Sequence, residues 1–145
     1  MTRINLVNPK ELTDQHLVAE YREIFMVGSS LQRSMKSKSW NKTINNIPKE
    51  FTLNKGHVTF FYDKGKYLFK RYNLLINEMK KRGFNPNKNR LFPTKIFIDN
   101  HLFHDWEPKL KDLKTIRSRI LLKIQQKPNW YRKNGKYTWK NLVDR

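Results

Sequence analysis

Three stretches of the chain repeat apolar residues at helical spacing, and that period dominates what it can fold into. The first opens at Thr13, an N-cap residue flanked by Leu12 and Leu17, which are spaced to close a hydrophobic staple, and it runs to about Ser34. The second extends from about Asp63 to Arg82, aligns Leu68, Tyr72, Leu75 and Met79 on one stripe, and stops at Gly83. The third starts near Pro108, aligns Leu113, Ile116, Ile120 and Ile124, and halts before Pro128. Between the first two, GHVTFFY is apolar enough for a short strand, but one strand without a partner makes no sheet, so it reads as a buried connector. Residues 84–106, rich in Asn, Pro and Phe, read as a long ordered loop. No repeat or Gly/Ser linker divides the chain, so the spacing predicts an all-α, compact single domain over residues 1–145 with three main helices and long ordered loops.

The chain carries 31 Lys plus Arg against 12 Asp plus Glu, a formal charge of +19, which calls for a polyanionic partner rather than mere solubility. The charge is unevenly placed. Residues 1–35 hold four basic and four acidic side chains, whereas residues 36–108 carry +9 and residues 109–145 carry +10. Acidic residues kept in the neutral quarter are needed for something other than attraction to phosphate. With no cysteine, a disulfide framework, a thiolate zinc site and a cysteine nucleophile are excluded, and a reducing compartment fits. Neither a signal-peptide pattern nor an apolar run near the roughly 20 residues of a bilayer span is present, which predicts a soluble protein without membrane contact.

Chemistry enters at the first residues, MTRINL. A small second residue favours removal of Met1, which would leave a free α-amine on Thr2. Such an amine has a pKa near ~7.8 against about 10.4 for lysine, so near pH 7.5 roughly a third of it is unprotonated. Arg3 beside it pushes that pKa lower still, making Thr2 the most available amine nucleophile in the chain. On a helical wheel over 15–33, Leu17, Val18, Tyr21, Ile24, Phe25, Gly28 and Leu31 form the core face, and Gln15, Ala19, Arg22, Glu23, Met26, Ser30 and Arg33 fall opposite. The residues three and four positions from Glu23 are Ala19, Glu20, Met26 and Val27, none of them a cation. A carboxylate so placed, on a face meant for a polyanion, suits proton transfer beside an amine nucleophile.

Together, MTRINL, ELTDQHLVAEYRE, GHVTFFYDK, KKRGF and KPNWYRKNGK resemble the pyrimidine-dimer DNA glycosylase/AP lyase family, the endonuclease V type known from phage. The matching blocks cover about half the chain in the same order. The resemblance implies an N-terminal segment threaded between helices, the α-amine of Thr2 as nucleophile and Glu23 as the essential acid. It further implies that Arg3 and Arg22 hold phosphates beside the lesion, and that Gln15 and His16 line the same DNA face. Arg119 and Lys123 fall at two more DNA-contacting positions; four residues apart, they share one face of the third helix. The expected reaction is cleavage of the glycosidic bond at ultraviolet-type pyrimidine dimers through an imine to the N-terminal amine, followed by β-elimination at the abasic site. The expected partner is double-stranded damaged DNA, with no cofactor, no obligate protein partner and a monomeric, cytoplasmic, nucleoid-associated enzyme.

Two features stand apart from that pattern. Where the phage-type sequence continues with a proline and then an arginine on the same face, this chain has IFMVGSS, with Met26 at the arginine's place. That leaves open a glycosylase for another damaged base, with Met26 as an apolar wedge, and a non-catalytic nucleic-acid binder of the same fold. After the third helix, KPNWYRKNGKYTWK alternates aromatic and cationic residues. It predicts a stacking and phosphate platform with Tyr131, Lys133, Lys136 and Tyr137 near DNA and Trp130 mainly packing. His101 and His104 have metal-like spacing without a firm third ligand, so no metal is expected.

Overall fold

The computed structural model describes residues 3–137, with side chains described through 135. The three expected helices are the long ones: α1 (Asp14–Met35), α4 (Gly65–Lys81) and α6 (Leu110–Gln126). Between them lie α2 (Trp40–Asn45), α3 (His57–Phe60) and α5 (Thr94–Asp99), and a 3-10 turn (Pro9–Glu11) precedes α1. Apart from a bridge between Lys64 and Phe103, the extended pairing among the described residues is a two-stranded hairpin, β1 (Arg132–Lys133) and β2 (Lys136–Tyr137). The fold is all-α.

Local chemistry sets the helix ends. Thr13 Oγ1 accepts the His16 amide at 3.0 Å, and Leu12 and Leu17 are both fully buried, as the staple requires. Gly83 ends α4 at φ 87°, a left-handed conformation that leads the Phe84 amide back to the Met79 carbonyl at 2.9 Å. At the start of α6 the Asp112 carboxylate accepts the Lys109 amide at 3.0 Å.

Helix α1 packs principally against α4 and also meets α3 and α5, so it is the axis of the molecule. Its buried face is Leu17, Glu20, Tyr21, Ile24, Val27, Gly28 and Leu31. Phe60, Phe61, Leu68, Leu75, Phe97 and Ile116 complete the centre. GHVTFFY is a buried connector, as expected, with one helical turn inside it: Phe60 and Phe61 meet edge to face at 5.1 Å and both contact Trp106.

The 84–106 segment is ordered, as expected, but contains α5, which its sequence spacing does not reveal. Helix α5 sits close because Gly65 carries no side chain: a Cβ there would lie 2.5 Å from Phe97 Cβ. Arg90 fixes the preceding loop to α1, donating to the carbonyls of Tyr21 and Arg22 and placing its guanidinium 3.8 Å from the Phe25 ring centroid.

Candidate active site and nucleic-acid interface

Residues 4–7 run through the interior, all four buried, and a set of charged and polar side chains holds them there. The Ile4 amide donates to His57 Nε2 at 3.0 Å and the Asn5 amide to Glu20 Oε1 at 3.2 Å, while the Val7 carbonyl accepts from Arg71 Nη1. Arg71 also grips Glu20 in a two-point pair, Nε to Oε2 at 2.6 Å and Nη2 to Oε1 at 3.0 Å. Burial alone would push the Arg71 guanidinium toward losing its proton, but the Glu20 carboxylate more than offsets this and raises its pKa. A buried ion pair of this kind contributes position more than stability, because desolvation cancels much of the attraction.

Three residues along α1 from Glu20, Glu23 leaves the core and is half-buried. Burial raises its carboxyl pKa, against the lowering effect of the Arg119 and Arg3 charges, and Glu20 adds to the rise. Arg119 is the hub of this neighbourhood. It is half-buried, which lowers its pKa, as does Arg3, and it also feels Glu23 and Tyr131. The charges of Arg119 and Lys123 reach His16 as well, where burial is the main force bringing the imidazole down to about 4. Arg3, His16, Glu23, Arg119, Lys123 and Tyr131 therefore form one electrostatic cluster drawn from the N-terminal segment, α1, α6 and the segment after it.

The remaining expected site residues have other surroundings. Thr2 lies outside the described residues, and so do the side chains of Lys136 and Tyr137. Arg22 is exposed on α1 at a cleft of about 680 Å³ that it shares with Gln15, Arg82, Trp130 and Arg132. Gln15 is committed at both ends of its amide, donating to the Trp130 carbonyl at 2.5 Å and accepting the Arg132 amide at 2.9 Å. His16 Nδ1 lies 2.6 Å from the Thr13 hydroxyl, and its ring stacks on Tyr131 with centroids 4.8 Å apart. Lys133 acts on Glu11. Trp130, expected mainly to pack, is 53% exposed and meets the Tyr131 ring edge to face at 4.9 Å, while Gln15 holds the backbone on either side of Tyr131.

Asp14 anchors the hairpin, accepting the Asn134 amide at 3.0 Å and the Gly135 amide at 2.8 Å. Sequence reasoning missed Asp14, Glu20, His57 and Arg71. Arg71 had a signal, since it lies between Leu68 and Leu75 on the buried stripe of α4 and a cation there needs a carboxylate. Among the described residues no three His, Asp or Glu side chains gather as a metal would require, and His104 Nε2 lies 3.0 Å from the His101 carbonyl. No helix of the described residues is long and apolar enough to cross a membrane. Comparison with known families gives a match over residues 1–91 to the model described as pyrimidine dimer DNA glycosylase.

Proposed function

Because the chain belongs to the pyrimidine dimer DNA glycosylase family, we propose that it cleaves the glycosidic bond at ultraviolet-type pyrimidine dimers through an imine to the Thr2 α-amine and then cleaves the strand as an AP lyase. The amine displaces the base at C1′ of the deoxyribose, and opening of the C1′–O4′ bond gives the protonated imine. Loss of a C2′ proton expels the 3′ phosphate by β-elimination, and water hydrolyses the imine to return the amine. Glu23 handles the protons. The observation that carries this reading is that the half-buried Glu23 carboxyl, its pKa raised by burial, feels the charge of Arg3, the residue next to Thr2: an upward shift moves a carboxyl toward the range in which it serves as both acid and base.

Arg3, Arg22, Arg119 and Lys123 serve as phosphate contacts on double-stranded damaged DNA, joined by Lys133, Lys136 and Tyr137, with Gln15, His16 and Tyr131 lining that face and the exposed Trp130 offering a stacking surface. The enzyme works as a monomer without a cofactor. Borohydride trapping on an abasic duplex, with intact mass of the protein, is the test. A covalent adduct from protein lacking Met1, lost when the α-amine is blocked, is the expected result; an adduct that survives blocking moves the nucleophile to a lysine, and no adduct at all favours a non-catalytic binder. Glu23→Gln is expected to bind as tightly as wild type and cleave nothing, whereas equal loss of binding and turnover would make Glu23 structural.

Met26, 50% exposed on α1, favours a second reading of the lesion alone. A thioether in the arginine's place is suited to wedging between bases. Cleavage across a panel of dimer, oxidised and ring-opened duplexes separates the two readings.

A further inference from the structure

His57 is a buried titratable side chain that the chemistry above does not use. It is 1% exposed, and its ring is enclosed edge to face by Phe51 at 5.4 Å and Phe61 at 5.5 Å. Its Nδ1 lies 2.8 Å from the Thr52 carbonyl oxygen, which can only accept, so Nδ1 carries the hydrogen. That assignment leaves Nε2 as a lone-pair acceptor, the role it fills toward the Ile4 amide at 3.0 Å. Each bond fixes the other, and the ring is a rigid post between the 52 carbonyl and the main chain of the N-terminal segment. Ile4 is two residues from Thr2, nearer than the Asn5 and Val7 ties to Glu20 and Arg71.

We propose that His57, as the neutral Nδ1–H tautomer, is a positioning residue for the imine-forming step, fixing the main chain at Ile4 so that the Thr2 amine meets C1′ beside Glu23. The inference rests on Thr2 being the nucleophile. It follows from how steeply covalent chemistry depends on placement: a shift of about 1 Å in the attacking atom can cost on the order of 100-fold in rate. DNA affinity, by contrast, is assigned above to cations, whereas the hydrogen bonds of His57 run to Ile4 and Thr52.

The test is the single-turnover rate of borohydride trapping at saturating abasic duplex, measured with the Kd of the same duplex. His57→Phe keeps the ring but has no acceptor for Ile4. His57→Asn keeps a donor for Thr52 and is too short to reach Ile4, so it serves if the Phe variant does not fold. Both are expected to trap roughly 10- to 100-fold more slowly than wild type with Kd within about twofold. His57→Gln, whose carboxamide oxygen reaches the place of Nε2, is expected to recover most of the rate. Wild-type trapping rates in the Phe or Asn variants would overturn the proposal, as would a loss confined to Kd or a Gln variant as slow as Asn. Amine-blocked wild type separates the two levels: if it still traps, the Thr2 reading has failed, and if it does not while His57→Asn traps normally, only the role of His57 has failed.

Discussion

Acid should loosen this fold well above the pH at which its carboxylates titrate, and the cause is two histidines. His16 and His57 both have pKa values pushed from the ordinary 6.5 to about 4, mainly by burial, with Arg119 and Lys123 reinforcing the shift at His16 and Arg3 and Arg119 at His57. The folded state therefore refuses protons that the unfolded chain accepts. Stability is full above pH 6.5 and falls as pH drops toward 4, where the folded state begins to bind the protons too. Proton linkage puts the loss at pH 5 at about 2 kcal/mol for each ring, hence ~4 kcal/mol for the pair as an upper value, since the half-buried His16 keeps some solvent access. That is a large share of the roughly 5–15 kcal/mol that holds a domain together. Glu23 works with the opposite sign: its raised pKa is a penalty above the titration that is relieved as pH falls, so it cannot produce the loss. Urea unfolding followed by circular dichroism at pH 8, 6.5 and 5, at one ionic strength, reads the effect directly. The wild type should lose stability between pH 6.5 and 5, and the His16→Gln/His57→Gln double variant should lose little. A flat wild-type profile, or an equal loss in the double variant, would refute the burial of neutral rings.

Two other substitutions probe the clamp and the DNA face. Arg71→Met strands the buried Glu20 carboxylate and should cost about 3–5 kcal/mol in urea unfolding, while Arg71→Met with Glu20→Leu should cost less than the single change; strictly additive losses would show that the two groups do not share one interaction. Met26→Arg adds a cation beside Arg22 and should tighten binding to dimer DNA while steepening the log–log salt slope by about 0.9; an unchanged slope would mean that position 26 does not meet a phosphate.

What was legible in the sequence followed period and punctuation. Thr13, Gly83 and the Ile116, Ile120 and Ile124 stripe mark their helices because capping, a left-handed stop and helical spacing are local properties. Helix α5 was hidden because it depends on a neighbour: six residues hold a helix only where Phe97 finds the side-chain gap at Gly65. The exposure of Trp130 was hidden for the same kind of reason. The backbone there is held by Gln15, 115 residues earlier, and no spacing rule reaches that far. The site divides likewise. Arg119 and Lys123 on one face of α6 could be read from their interval, whereas the His57 contact with Ile4 spans 53 residues and became visible only in the fold.

The neutral first quarter of so basic a chain now has a physical account. Of its four acidic residues, Glu11 takes a two-point pair from Arg117 on α6, Asp14 takes Arg82 and the hairpin amides, and Glu20 takes Arg71 and the Asn5 amide. Each of these three spends its charge on tying α1 or the turn before it to another part of the molecule, and Glu20 does so in the interior, where salt and an approaching phosphate cannot compete. Glu23, one helical turn on from Glu20, is only half-buried. A carboxylate retained there opposes the binding of DNA, and Arg3 and Arg119 around it would lower its pKa if burial did not prevail. That burial prevails over those two charges is what supports the proton-handling role proposed for it.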